Sequence, residues 1–342
     1  MLPEAKRILA VRTDRIGDAV LITPALALLR RRYPEAHIAV LVSPYTADIF
    51  KGNPAVNQII TLKPTLELTR ELRALKFDAA VLFFVDKRSV LPISLAGIPL
   101  RIGPGSKIWS ALLNKIIFQR RSKNPGHEAD FNTALLEPLD IVPQKEPCRI
   151  YLSNEENNAA ALRLAREHGI TAQDKLVILH PGSRGSAKNW PPQHYAELAA
   201  LLLAANPQLK ILLTGAPDEV PLLKDIQTLS GKTIALTKDK LSLRELIALI
   251  SRARLLATNS TGPLHLAVAL GVPTVSFFPP LKGCLPQRWG PYGEEHAVLM
   301  PKHPTCSKCT AEACPDFNCM ASITPAQALD AAKTTVPDLF KP

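Results

Sequence analysis

Two aspartates, Asp14 and Asp18, lie around Gly17 in "RTDRIGDAVLITPAL", between a strand-like run and an apolar helical stretch. A carboxylate at such a junction is placed to act as a general base. The same spacing suits an aspartate that caps a helix or favours its positive end, and spacing alone admits either reading. A second group, "HPGSRGSAKNWP", sets Gly182, Ser183, Gly185 and Ser186 ahead of Lys188. Small residues let backbone N–H groups approach an anion, and the lysine supplies charge. A third, "TNSTGPLHLAVALGVP", puts Ser260, Thr261 and Gly262 just before a helical run, with Pro263 near its first turn. Free N–H groups and the helix dipole favour a phosphate there. Between them, "TGAPDE" offers Glu219 as an acceptor for ribose hydroxyls. One such loop is most simply a helix cap, whereas three at successive strand ends form a nucleotide-diphosphate pattern. The chain contains neither GxxxxGK[ST] nor GxGxxG, which argues against a P-loop NTPase and a standard nicotinamide dehydrogenase.

The elements that must position these loops alternate. "KRILAVRT" reads as a strand, "AVLITPALALLRRRYP" as a helix ended by Pro34, "HIAVLVS" as a second strand and "FDAAVLFFV" as a further buried one. The pattern restarts with "KLVILHPGS", then the helix "PPQHYAELAALLLAAN" and the strand-loop "LKILLTGAPDE". "SLRELIALISRA", "RLLATNSTG" and "PTVSFF" complete it as helix, strand and strand. Two α/β halves in tandem predict two doubly wound parallel sheets. The expected boundaries are 1–155 for the first, 156–322 for the second, and a helical tail over 323–342 that packs back on the first. The polar stretch Pro143–Lys175 holds the linker and a charged helix, "NEENNAAALRLAREHG".

At 342 residues, 46% apolar and 21% charged, the chain is globular and long enough for two domains. Its N-terminus shows no signal-peptide pattern, so a cytoplasmic protein is expected. The uncharged run Leu264–Leu281 contains Gly271, Pro273, Pro279 and Pro280, and reads as helix, turn, strand and loop, not as a membrane span. The net charge of +11 is uneven: residues 1–150 carry 22 Lys and Arg against 14 Asp and Glu, the remainder 19 against 16. A basic half suits nucleic acid, an anionic membrane or an anionic substrate, or is simply a solvated surface. The segment "RIGPGSKIWSALLNKIIFQRRSK" interleaves Trp109, Ile116, Ile117 and Phe118 with Arg101, Lys107, Lys115, Arg120, Arg121 and Lys123. That pattern suits an anionic membrane surface, or an amphipathic helix packed on the sheet.

Four of six cysteines cluster as "CSKCTAEACPDFNC": Cys306, Cys309, Cys314 and Cys319. Their spacing allows a structural zinc or iron site bracing a loop, or a reduced cysteine-rich loop. Cys148 and Cys284 read as small apolar residues. His180 ends a strand and His265 opens a helix, each a core histidine or a ligand contact. His127 and Glu128 line a cleft or sit in a surface loop.

Across nearly the whole chain these motifs resemble glycosyltransferase family 9, the ADP-heptose lipopolysaccharide heptosyltransferases. "RTDRIGDAVLITPALALLRRRYP", "HPGSRGSAKNWP" and "TNSTGPLHLAVALGVP" carry the likeness, in order. The resemblance implies a GT-B fold of two Rossmann-like domains facing an interdomain cleft. It also implies inverting transfer from a nucleotide sugar, most simply ADP-heptose, with no catalytic cofactor. Asp18 matches the family's base; Lys188 and Ser183 its diphosphate loop; Glu219 its ribose contact. Leu241 matches the adenine wall, and Ser260, Thr261, Gly262 and His265 the phosphate-side loop. The implied acceptor is an anionic lipid-linked glycan at the cytoplasmic face of the inner membrane, with Asp14, Arg15, Arg120, Arg121 and Lys123 as acceptor-side candidates. One departure stands out: the family's aspartate before Thr/Ser-Gly is here Ser260, which bears on the donor sugar.

Other readings are a GT-B enzyme using UDP-, GDP- or another ADP-sugar on a different envelope glycan or protein, and a non-catalytic nucleotide-sugar sensor or nucleic-acid binder. Only 5% of residues are aromatic, which argues against nucleic acid as a partner.

Overall fold

The computed structural model describes residues 5–105, 107–119, 121, 126–183, 185, 188–309, 314 and 318–341. The chain divides into two compact units, Met1–Tyr151 and Leu152–Pro342. In the first, the elements run β1 (Arg7–Arg12), α1 (Ile16–Val20), α2 (Thr23–Arg32), β2 (His37–Val42), β3 (Gln58–Thr61), α3 (Thr65–Leu75), β4 (Ala79–Leu82), α4 (Lys87–Leu95), β5 (Leu100–Pro104), β6 (Lys115–Ile117) and α5 (Glu128–Ala134). All its strand pairs are parallel, in the order β3-β2-β1-β4-β5-β6. Five of the six residues of β1 and of β2 are buried, as expected for strands covered on both faces.

The second unit runs α6 (Asn154–His168), β7 (Leu176–His180), α7 (Pro192–Ala205), β8 (Lys210–Leu213), α8 (Val220–Ser230), β9 (Ala235–Leu236), α9 (Leu243–Ile250), β10 (Leu255–Asn259), α10 (Gly262–Ala269), β11 (Thr274–Phe277), α11 (Pro286–Trp289), β12 (His296–Leu299) and α12 (Pro325–Thr335). Its parallel sheet is ordered β12-β11-β10-β7-β8-β9, so strand for strand it repeats the first unit's order. That order reverses direction beside the first strand of each sheet, between β1 and β4 and between β7 and β10. Loops leaving the carboxyl ends there open a crevice for ligands. The candidate loops after β1, β7 and β10 all leave from these strands.

Local chemistry sets the helix limits. Ser153 and Glu156 form a reciprocal capping box at the start of α6, and Gly169, at φ 63°, ends it in the left-handed conformation. Ser242 and Glu245 cap α9 in the same way. The helix expected over "AVLITPALALLRRRYP" is split into α1 and α2, with Thr23 Oγ1 donating to Val20 O at the break. Among its described residues the segment 101–123 is not an amphipathic helix: it runs through β5, a 3-10 turn over Ile108–Leu112 and the edge strand β6. With Gly103 inside β5 and Pro104 at its end, the backbone extends where the apolar spacing alone allowed a helix.

The C-terminal segment belongs to the second unit. Ala328, Ala332, Val336 and Leu339 join the core formed by Trp190, Tyr195 and Phe277. Ala328 is fully buried in α12. Ala328→Asp places an unpaired carboxylate in that core and is expected to destabilise the second unit by more than about 3 kcal/mol. Urea unfolding checks this, and an unchanged midpoint would mean that α12 is peripheral.

Candidate active site

In the first unit the site is built around Arg12, the last residue of β1, which is only 2% exposed. Its Nε donates to Asp14 Oδ1 at 2.7 Å, and its Nη2 is paired with Asp18 Oδ1. Nη1 reaches Phe83 O at 3.2 Å, Glu128 Oε1 at 3.1 Å and Asn132 Oδ1 at 3.4 Å. Asn132 in turn donates to Leu21 O. Glu128 is fully buried at the start of α5, and its Oε1 also accepts from Arg121 Nη1 at 2.5 Å. Burial alone disfavours the charge on Arg12, but Asp18, Asp14 and Glu128 outweigh it and push its pKa up. Asp14 is pushed up to about 6, first by burial and then by the charge of Asp18, against the pull of Arg12. Asp18 sits in α1 with its side chain 14% exposed, at the carboxyl end of β1. Tyr45 closes over the turn, its hydroxyl donating to Asp14 O at 2.5 Å.

In the second unit, the loops after β7, β8 and β10 are tied to one another. Fully buried Asn259 accepts from Trp190 N at 2.8 Å and donates to Pro181 O at 2.6 Å, so one amide pins both ends of the "PGSRGSAKNW" loop. Thr258 Oγ1 donates to His180 O. Trp190 stacks on Phe277 with ring centroids 4.0 Å apart and donates from Nε1 to Ile323 O. Lys188 lies two residues before this anchor and is half-buried; Ser183 is buried at the loop's start. Glu219 accepts from Ala216 N through Oε2 at 2.9 Å. A Cβ on Gly182 would overlap the Glu219 carboxylate, so the first loop's backbone lies directly against the second loop's acid. His180 bonds Thr214 Oγ1 through Nδ1, and burial pushes its pKa down to about 4 against the opposing charge of Glu219.

Ser260 N donates to Phe277 O, and Thr261 is the N-cap of α10 without a side-chain cap bond. Gly262 and Pro263 form its first turn, and His265 follows, buried. Leu241 is half-buried just before the N-cap of α9. Of the acceptor-side residues, Asp14 joins the Arg12 cluster, Arg15 is exposed at the N-cap of α1, and Arg121 is bonded to Glu128 and Gln119. Arg120 and Lys123 lie outside the described residues.

Arg12, Glu128 and Asn259 were not among the residues expected to matter. Glu128 was read as cleft lining or surface loop; its burial follows from α5, where Glu128 and Asn132 share one face at i and i+4. His127 is the N-cap, its Nδ1 accepting from Ala129 N.

Of the two readings of the four cysteines, the metal site is not supported: among the described residues no three His, Cys, Asp or Glu side chains gather to hold an ion. Cys319 packs against the second unit's core, and burial pushes its thiol up, with Lys188 pulling the other way. Cys309 is exposed. Backbone bonds, Cys306 N to Pro280 O and Lys282 N to Cys306 O, tie Cys306 to the loop after β11. Cys148 is buried, its thiol pushed up to about 12.

Two tandem parallel sheets of this order, with ligand loops at their carboxyl ends, are the architecture of GT-B glycosyltransferases. Solved structures agree on the fold. A family 9 glycosyl transferase from Veillonella parvula superposes with a TM-score of 0.83 at 22% identity, covering 98% of this chain and all of that one. The Escherichia coli ADP-heptose LPS heptosyltransferase II does so at 0.80 and 22%, covering 97% and 99%. The family described as glycosyltransferase family 9 (heptosyltransferase) matches residues 65–319, and the chain belongs to that family. It is therefore a glycosyltransferase. In sequence it is 29% identical over 311 residues to a putative glycosyltransferase of Haemophilus influenzae, covering 86% of this chain and 89% of that one. It is 23% identical over 292 residues to lipopolysaccharide heptosyltransferase 2 of E. coli, covering 80% and 83%. No helix among the described residues is long and apolar enough to cross a membrane.

The raised pKa of Asp14 has a definite sign. The folded state holds this proton more tightly than the unfolded chain, where the carboxyl titrates near 3.8. The resulting stabilisation is full below about pH 4 and is lost as pH rises through about 6. The unfolding free energy of wild type relative to Asp14→Asn is expected to fall between those values and level off above them. Urea titrations across that range check it, and a flat difference would contradict the raised pKa.

Proposed function

We propose that this enzyme transfers heptose from ADP-heptose to the inner core of lipopolysaccharide, with inversion at the anomeric carbon. The observation that carries the donor side is the tying together of three small-residue loops at adjacent strand ends, through Asn259 and through Glu219 against Gly182. Relatives point to the sugar: one solved structure with this fold is E. coli heptosyltransferase WaaC with ADP-2-deoxy-2-fluoro heptose. In this reading the diphosphate lies on the N–H groups after Ser183 and at the start of α10, beside Thr261 and Gly262, with Lys188 adding charge. Glu219 accepts from the ribose hydroxyls, while Leu241 and His265 flank the nucleotide.

The acceptor hydroxyl attacks the anomeric carbon opposite the leaving ADP. Asp18 takes its proton as the new glycosidic bond forms and the bond to ADP breaks. The electron pair leaves with the diphosphate, where Lys188 and the loop N–H groups stabilise it. Arg12, paired with Asp18 Oδ1, orients it. Asp14, Arg15 and Arg121 are the acceptor-side residues in this reading, toward a phosphate- and carboxylate-rich glycan carried on lipid at the cytoplasmic face of the inner membrane. No metal takes part in these steps. Ser260 favours a second reading, in which the same chemistry uses another nucleotide sugar.

Three measurements test this. Binding of a nucleotide-sugar panel to wild type and Lys188→Ala is expected to single out ADP-heptose and to be lost in the variant. Preference for another sugar would move the donor and implicate Ser260. Asp18→Ala is expected to lower kcat about 10²–10⁴-fold with donor affinity kept, and a variant retaining most of its kcat would remove Asp18 from the role of base. Gly182→Ala pushes Glu219 from its place and is expected to weaken donor binding about tenfold or more through lost ribose hydrogen bonds. Unchanged affinity would mean that Glu219 does not hold the nucleotide.

A further inference from the structure

The stretch between Asp86 and Glu128 contains eight Lys or Arg residues and no Asp or Glu. Its apolar residues do not all enter the core. Ile108 is 85% exposed, Phe118 83% and Trp109 37%. Single exposed apolar residues are ordinary; three large ones held together at one sheet edge within a one-sign charge field are not.

The backbone brings them together. Ile108 and Trp109 open the 3-10 turn after β5, and that turn is tied back by Ser110 Oγ donating to Pro104 O at 2.8 Å. Phe118 follows β6, whose Ile117 pairs with Pro104. Gly105 N donates to Ile117 O, and the Phe118 ring lies so close to Gly105 that a Cβ there would touch it. Lys87 Nζ sits 5.7 Å above the Trp109 ring. Lys87, Lys107 and Lys115 are all exposed.

We propose that this face, with Ile108, Trp109 and Phe118 as apolar anchors among Lys87, Lys107 and Lys115, docks the first unit on an anionic lipid bilayer. Lysine stems lie along apolar surface while their ammonium groups reach anionic headgroups, and the apolar side chains enter the boundary between headgroup and acyl chain. Charge favours lipid over a second copy of the chain, because two faces carrying only positive charge repel. Lys115 on the edge strand β6 further discourages pairing with another sheet edge. Position fits as well: β1, β4, β5 and β6 are parallel, so the face lies along the same carboxyl edge of the sheet as Asp18. A glycan growing on a membrane lipid would thus be presented at the edge that holds the base. The purpose of the face rests on the transferase reading above, but its existence does not.

The experiment is co-sedimentation of the full chain with vesicles of phosphatidylcholine alone and with phosphatidylglycerol added, over a range of salt. Binding is expected to be at least about tenfold tighter on anionic vesicles and to weaken as salt rises. Ile108→Ser with Phe118→Ser, and separately Lys107→Glu with Lys115→Glu, are each expected to weaken it by about tenfold or more. Leu162→Ser, at a residue 71% exposed in the second unit, is expected to leave it unchanged. All three variants alter exposed side chains, and unchanged melting curves confirm folding. The proposal is overturned if anionic vesicles do not bind, if both double variants bind like wild type, or if the serine pair instead abolishes a concentration-dependent dimer. Sugar transfer to a water-soluble acceptor separates the two readings. Transfer without vesicle binding defeats this proposal alone, and vesicle binding without transfer defeats the functional one alone.

Discussion

An arginine almost entirely removed from water at the end of the first strand governs the chemistry of the first unit. Stripping a guanidinium of solvent is so unfavourable that Arg12 requires partners at every nitrogen. It draws them from the β1–α1 turn, the end of β4 and α5, more than a hundred residues apart in sequence. Asp18 is therefore held by a buried cation and not by its own short helix. Arg12 and Arg121 face Asp14, Asp18 and Glu128, two positive charges against three negative. Burial first, and then the charge of Asp18, outweigh the pull of Arg12 on Asp14, whose carboxyl holds its proton up to about pH 6.

The second unit solves a similar problem with neutral groups. Asn259 uses both ends of its amide inside the sheet to hold Pro181 and Trp190, at the two ends of the loop after β7. His180 is kept neutral by burial, and Trp190 anchors through stacking and one indole hydrogen bond. Holding the loop this way adds no fixed charge beside the residues that would meet a diphosphate. Lys188 and the start of α10 supply positive field there, beside the Glu219 carboxylate that lies against Gly182. The absence of a side-chain cap from Thr261 fits that purpose, since a capped N–H is unavailable to a ligand.

The fold was largely legible because buried parallel strands write themselves as unbroken apolar runs and their loops as Gly, Ser and Pro clusters. β1, β2, β7 and β10 with their loops fall where these signals stand. The missed residues share a physical cause: Arg12, Glu128 and Asn259 are polar groups buried by long-range pairing, and neither periodicity nor local spacing records a partner 69 or 116 residues away. Glu128, after the basic segment, reads from sequence as cleft lining or surface loop, whereas its i+4 spacing to Asn132 among apolar residues was the available clue to its burial. The four cysteines left two readings open, a metal site and a reduced loop, and the metal is not supported: Cys319 packs against the core and Cys309 is exposed, with Cys309 and Cys314 acting on Cys319 through their charge.

The basic excess of the first half acquires its meaning only from this distinction between buried and exposed charge. Several of its arginines serve the interior: Arg12 binds carboxylates, Arg30 donates to the carbonyls of Pro34, Ala36 and Ala55, and Arg101 to those of Ile98 and Leu112. These cannot greet an anionic partner. Net charge by itself therefore overstates the field outside the unit. Exposed basic residues remain across the unit, Lys6, Arg31, Arg32, Lys51 and Arg70 among them, but the exposed lysines after β4, after β5 and on β6 share one sheet edge with large exposed apolar side chains. Coulomb attraction to a distant anion needs only charge, whereas contact with a lipid surface needs apolar area in the same place. It is this coincidence, and not the total of +11, that distinguishes a docking face from a merely soluble one.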